Sequence, residues 1–550
     1  MFIKQTKKSG KTYLALVEAY WENGKSKQRT IASLGNFESF SRDQLLSLGA
    51  KFLALAGAPQ PSSLESLQEV QRVNWGCSAI CKRLWSDFLF NSLFARLKAA
   101  TKIKFQLEDA VFRVVATRLS EPLTKLSLFH SQQSYVGADS VDLQHLYRCL
   151  DFLSAHKDEI ESHIFKINRN LFNMKVDVVF YDVTTFYFES NRPDLFKNFG
   201  YSKDCKFGEV QVVMGMIMNA EGRPVGFEYF PGNTFEGSTL TVALQSLKRR
   251  FSIDRVIVVA DRGMNSKLNL KAVRDLGFHY IVGSRLKSMT TTLKKQILDV
   301  ESYSAVANDS AGNPVFKLKE FSYNNAVVVE TRDPQGKIKK DTHILQERLM
   351  CSWSLERATK DKQDRERLVL KANDFAKHPA KVMDKRGAKK YLKPLTNEAS
   401  AYSVDQSKID ADAEWDGIYG IQTSDHELSQ TDVLDAYKNL WRIEEIFRTL
   451  KSTLEMRPMF HWTPDRIKGH MVACFISFVF ERTIELAVQS HCNHHLSSAA
   501  IREAIYSMQM SKILTQQNQT LLVRSQITPD AEKILTAMKV SPPKAAQLQN

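Results

Sequence analysis

The stretch Val176-Asp-Val-Val-Phe-Tyr-Asp-Val-Thr-Thr-Phe-Tyr-Phe188 decides the fold. β-Branched and aromatic residues fill it, as they fill a half-buried pleated surface, and it is too apolar for a solvent-facing edge. Outward from it, Val210–Met218 and Val225–Phe230 read as two further strands joined at Glu221-Gly222, which makes a three-strand meander. The spacing then predicts a helix from about Ser238 to Phe251 and the apolar strand Val256-Ile-Val-Val-Ala260, closed by Asp261. A helix capped by Asn265 or Ser266 and a strand over His279–Arg285 follow. Strand-helix-strand after a meander predicts an α/β fold with a mixed sheet whose parallel strands are buried.

The flanks differ in character. The first 35 residues alternate apolar and polar positions and break at Glu22-Asn23-Gly24-Lys25, which predicts a basic β-hairpin unit. Ala56–Ser63 has the composition of a linker. From Leu64 to about Leu171 the apolar spacing is helical, interrupted once at Pro122, and predicts six or so helices able to pack as a DNA-binding domain. Between Lys287 and Thr423 the pattern is irregular and reads as an insertion in the sheet domain, with Tyr402–Ser407 and Gly417–Thr423 as paired strands. Helical periodicity returns over Thr431–Leu454 and again after Thr463-Pro464, and the tail from about His491 reads as helical and polar. The expected divisions are 1–62, 63–173, 174–290, 291–426, 427–490 and 491–550.

A chain of 550 residues with a formal charge of +15 suits a polyanionic partner. Seven irregularly spaced cysteines do not form a disulfide framework, and the longest nearly apolar run, Met471–Phe480, is about half of what a membrane span needs. The expectation is a cytoplasmic protein in a reducing compartment, with no membrane partner.

Three carboxylates stand out. Asp182 lies inside the first strand, where an aspartate is costly unless hydrogen-bonded or bound to a metal. Asp261 ends an apolar strand, the position at which open α/β sheets place their sites, although it could equally cap the following helix. Over Thr431–Leu454, about 100° per residue places Tyr437, Glu444, Arg448 and Lys451 within about 60° of one another. An acid, two cations and a phenol on one stripe are not what a core-facing helix presents, although a solvated Glu444–Arg448 pair would also account for the acid. Taken together, Asp182, Asp261 and Glu444 make an oxygen cage for two hard cations, Mg²⁺ with Mn²⁺ able to substitute. Such a pair can stabilise both oxygens of an in-line phosphoryl displacement.

Tyr437-Lys-Asn-Leu-Trp-Arg-Ile-Glu-Glu-Ile-Phe-Arg-Thr-Leu-Lys451 resembles the Y-x2-R-x3-E-x6-K signature of cut-and-paste insertion-sequence transposases of the DDE type. Tyr181-Asp-Val-Thr-Thr185, Gly232-Asn-Thr234 and Val259-Ala-Asp-Arg-Gly263 extend the similarity over roughly 176–481. The resemblance implies an RNase H-like catalytic core interrupted by a β-rich insertion between the second Asp and the Glu. It implies metal binding by Asp182, Asp261 and Glu444, and strand holding by Tyr437 and Lys451. Leu440 departs from it, standing where the signature has Arg; the stripe offers Arg448 as the replacement phosphate contact, whereas Arg442 faces away. An aromatic on the insertion would hold an unstacked base, and Tyr419 falls where it is expected, with Trp415 the nearest alternative. The implied partners are transposon ends and target DNA, bound as a homodimer. Two other readings differ in activity: an inactive DNA-binding derivative, against which the intact carboxylates and Lys451 argue, and a nuclease of the same fold that hydrolyses without joining.

Overall fold

The computed structural model describes the chain except positions 23, 58–66, 136–139, 173, 201–207, 252–255, 333–337, 379–386, 396–401, 457–458, 515–518 and 550, so most of the expected linker lies outside the described residues. The chain divides into two compact units, one of Met1–Val73, Gln509–Gln526 and Pro543–Asn550, the other of Asn74–Met508 and Ile527–Pro542.

In the first unit, β1 (Phe2–Lys8), β2 (Lys11–Glu22) and β3 (Lys25–Asn36) form an antiparallel sheet, one strand more than a hairpin. The β2–β3 pairing closes at Glu22 and Lys25, as the break in alternation predicts. Helix α1 (Arg42–Leu55) begins with a capping box at Ser41 and Gln44. Where the helical reading begins, the structure has instead the strand β4 (Gln68–Asn74).

The second unit opens with six helices, α2 (Trp75–Asp87), α3 (Phe90–Ala99), α4 (Leu107–Ser120), α5 (Lys125–Ser131), α6 (Leu143–Ala155) and α7 (Lys157–Leu171), with Pro122 between α4 and α5. The meander follows as β5 (Val178–Tyr187), β6 (Gln211–Asn219) and β7 (Pro224–Pro231), then α8 (Glu236–Phe251), β8 (Ile257–Ala260), α9 (Lys267–Asp275) and β9 (His279–Gly283). Ser266, not Asn265, caps α9, accepting from the Asn269 amide. The insertion comprises α10 (Thr291–Leu298), β10 (Ser304–Asn308), β11 (Pro314–Arg332), β12 (Ile338–Ser354), α11 (Leu355–Lys377), β13 (Leu392–Pro394), β14 (Tyr402–Val404), α12 (Gln406–Ala413) and β15 (Ile418–Thr423).

Nine strands form one mixed sheet in the order β10-β11-β12-β15-β9-β8-β5-β6-β7, parallel only across β9-β8-β5. Val179, Tyr181 and Val183 of β5 point into a core with Leu240 and Leu244 of α8 and Leu270 and Val273 of α9. The alternate residues 180, 182, 184 and 186 therefore face the other side of the sheet. The expected pairing of Tyr402–Ser407 with Gly417–Thr423 is corrected: β14 pairs with β13, whereas β15 lies between β12 and β9. A helix capped by Asp405 separates the two strands, so β14 pairs with the nearby β13 and β15 with the distant β12 and β9.

The single helix expected over Thr431–Leu454 is also corrected. It is α13 (Gln430–Lys438), a break at Asn439-Leu440, α14 (Trp441–Arg448) and a π-helical turn over Thr449–Thr453. Bonds from Leu440 N to Tyr437 O and from Arg442 N to Asn439 O tighten the chain at the break and reset its phase. Helix α15 (Pro464–Cys492) starts with Pro464 in its first turn and buries Met471–Phe480 completely. No helix among the described residues is long and apolar enough to cross a membrane. The tail is not purely helical: after α16 (Ser498–Ser507), the strands β16 (Gln509–Leu514), β17 (Thr520–Arg524) and, beyond α17 (Pro529–Ala537), β18 (Ala546–Gln549) form a sheet with β4.

Candidate active site

Strand register brings the two aspartates together. Parallel pairing matches Val178 with Ile257 and Tyr181 with Ala260, so one further step along both strands sets Asp182 beside Asp261. Both lie on the face opposite the α8–α9 core, and both are half-buried. Asp182 Oδ1 accepts from the Val183 amide at 2.7 Å. Asp261 Oδ1 accepts from the Met264 amide at 3.2 Å and so also caps the short 3-10 turn Arg262–Met264. Gly263 leaves room for that carboxylate, since a Cβ there would stand 3.0 Å from Asp261 Oδ1.

Helices α13 and α14 cover this side of the sheet, α13 packing against β8, β9 and β15 and α14 against β5. Ile443, Ile446 and Phe447 are buried, which turns Glu444 and Arg448 outward. Glu444 is thus on the helix packed against the strand of Asp182, but no group of three or more His, Cys, Asp or Glu among the described residues stands close enough to hold a metal together. Lys451 lies in the π turn with its Nζ 5.9 Å from the ring of Phe186, two positions further than Thr184 along the Asp182 face. Arg442 faces away, its Nη1 donating to Ala220 O at 2.6 Å.

Tyr437, on the last turn of α13, reaches the sheet, where its hydroxyl is 2.7 Å from that of Tyr419 on β15. Burial, then the Tyr419 bond and the Tyr419 and Asp261 charges raise the Tyr437 phenol above its ordinary value. Sequence reasoning missed Gly283, where a Cβ would fall 2.6 Å from the Tyr437 hydroxyl and 3.0 Å from that of Tyr419. It also missed Arg357, whose guanidinium lies 4.4 Å from the Tyr419 ring centre. A glycine ending an apolar strand was the available signal for the first; nothing local marks the second. Trp415 does not join the phenol pair. It lines a cavity of about 540 Å³ shared with Arg262, Arg285, Lys287, Arg357 and Tyr419, with Lys287 Nζ 5.7 Å from its ring.

Residues 174–480 match the family model described as the transposase DDE domain. The chain belongs to the DDE transposase family. Residues 2–55 match the N-terminal domain of IS1634 family transposases, so within that class it is an insertion-sequence transposase. Family membership implies dependence on a divalent metal in general. A comparison with curated proteins gives no match. Among solved structures, a cryo-EM structure of a piggyBac transposase synaptic complex with hairpin DNA aligns with 79% of this chain and 80% of that chain, at 10% identity and a TM-score of 0.34. That likeness is too slight to carry any argument.

Proposed function

We propose that the chain binds the ends of its own insertion sequence and uses Asp182, Asp261 and Glu444 in metal-dependent cleavage and joining of DNA, on an RNase H-like core. The observation that carries this reading is the parallel register that sets Asp182, midway along the strand β5 against which α14 packs, beside Asp261 at the carboxyl end of β8. The donor set fits a hard divalent cation, because all three side chains offer only carboxylate oxygens. When bound, Mg²⁺ supplies charge stabilisation to the attacking and leaving oxygens of the phosphoryl group. The two aspartates accept bonds from backbone amides, whereas Glu444 is exposed on α14.

The remaining groups act on the DNA strand. Tyr437 offers a phenol that stays protonated and can donate to a phosphate oxygen, while Lys451 and Arg448 supply positive charge beside the carboxylates. Tyr419 fixes the Tyr437 hydroxyl and presents its ring toward the 540 Å³ cavity, where an unstacked base would lie, with Trp415 as the second aromatic wall. The formal charge of +15 favours DNA as partner, bound by two copies of the chain. DNA carrying the element's ends, incubated with the protein, Mg²⁺ and a target plasmid, tests the reading: nicked ends joined to target support it, and hydrolysis without joined product overturns the transfer step.

A further inference from the structure

Helices α4, α5, α6 and α15, with Glu455, Phe460 and His461, line a cavity of about 120 Å³ whose wall includes Arg118, Lys125, Tyr147 and His470. Its basic residues are deeply buried, with Lys125 at 3% exposure, Arg118 at 4% and His470 at 5%. Lysine and arginine are almost never buried to that extent unless paired with an acid. Here the charges acting on Lys125 come from Arg118 and the thiols Cys149 and Cys474. Those acting on the two histidines come from Arg118, Lys125, Arg466 and, on His470, His461. Not one is a carboxylate. The acid at the cavity wall, Glu455, is exposed and paired with Arg502 at 3.3 Å. Arg118 Nη1 donates to Leu454 O at 2.7 Å and to Glu455 O at 3.3 Å, while its buried Nε has no partner among the described residues.

We propose that this cavity is a binding site for a phosphoryl oxyanion, held by Lys125 and Arg118 with His461 as a neutral donor. Without an anion the protein buries the Arg118 cation with no counter-charge, and Lys125 holds its proton only weakly. The space exceeds that of a single water several-fold and suits a tetrahedral anion with polar partners on several sides. Burial and the neighbouring Arg118 bring Lys125 down to about 7, and burial with the nearby cations brings His461 to about 3. His461 is therefore a neutral N–H donor at physiological pH, whereas His470 is already engaged, its Nδ1 accepting from Arg118 Nη2 at 3.5 Å and its Nε2 3.7 Å from Cys474 Sγ. Lys125 is the group that an arriving anion charges. Phe460 lines the mouth at 61% exposure, and Trp462, two residues on, is 72% exposed, so a nucleic-acid strand with its phosphate in the cavity would meet aromatic faces beside it. The ligand is thus either a phosphate of the DNA backbone or a free phosphate ion. The assignment does not rest on the three carboxylates.

The test is thermal unfolding of the full chain in inorganic phosphate against chloride of equal ionic strength, for the native protein and Lys125→Met. A ligand of the folded state raises Tm by mass action. The native protein should gain a phosphate-specific rise in Tm, and Lys125→Met should lose that rise while being at least as stable in chloride, since it removes a buried amine that has no acidic partner. Duplex binding separates the sources: a salt slope lower by about one unit in Lys125→Met assigns a backbone phosphate, and an unchanged slope with the phosphate-specific rise lost assigns a free ion. Equal phosphate responses and equal slopes in the two proteins would overturn the site. If Lys125→Met does not fold, His461→Phe should at least halve the phosphate-specific rise, and an undiminished rise would overturn it.

Discussion

At Tyr437 a hydroxyl, a ring and a glycine are fitted to one another. Its hydroxyl meets Tyr419 at 2.7 Å because residue 283 has no side chain to stand between them. Tyr419→Phe keeps the ring and deletes this bond, so it should slow end cleavage several-fold, and an abasic site next to the cleavage point should not restore the rate. Tyr419→Ala also removes the ring and should slow release of the flanking DNA, with partial rescue by the abasic substrate. No rescue of Tyr419→Ala would exclude stacking on this residue. A second titrating group lies across the same sheet. Glu347 is buried among Tyr280, Asn325 and Gln422, with Lys267 nearby, and desolvation outweighs these partners to raise its carboxyl from 4.5 to about 7. The unfolded chain loses this proton first as pH rises, so stability falls between about 4.5 and 7, by up to about 3 kcal/mol, and the penalty persists above that. Denaturant unfolding across this range should show a shallower fall for Glu347→Gln.

The packing of α14 leaves some of its cations open to solvent and ties up others. Arg448 is exposed beside Glu444, whereas Arg442 is spent on the Ala220 carbonyl. Arg448→Ala should lower the slope of log K against log salt by about one unit in DNA titrations. Arg442→Ala should leave the slope unchanged and cost about 1 kcal/mol of stability; the reverse ranking would remove Arg448 from the DNA face. The strands of the core are legible in sequence because their signal is local: β5 and β8 are apolar β-branched runs, and Asp261 stands out at the end of one of them. The break at Leu440 is not, since Asn439-Leu440-Trp441 contains neither glycine nor proline. The π turn carrying Lys451 has no sequence signature at all, although such turns recur at functional sites. Partner choice among the strands of the insertion was equally hidden, because β15 pairs across more than sixty residues with β12 and more than a hundred with β9.

Across the whole molecule, the insertion is part of the sheet that carries the aspartates. β15 bonds directly to β9, so Tyr419, Gly283, Asp261 and Asp182 sit on four neighbouring strands of one sheet. An aromatic on the insertion and the carboxylates of the core are thereby held without a linker between them. The sheet of β4 with the tail strands escaped notice because β4 lies more than four hundred residues before them in the chain. The central claim is that Asp182, Asp261 and Glu444 act together on DNA. Its most direct test is the single-turnover rate of Mg²⁺-dependent nicking of end DNA, at concentrations that saturate binding in gel shifts, for Asp182→Asn, Asp261→Asn and Glu444→Gln. Each substitution should slow nicking a hundredfold or more, a loss of about 3 kcal/mol of transition-state stabilisation, with DNA affinity retained. Near-native nicking by any of the three would contradict the assignment of that residue.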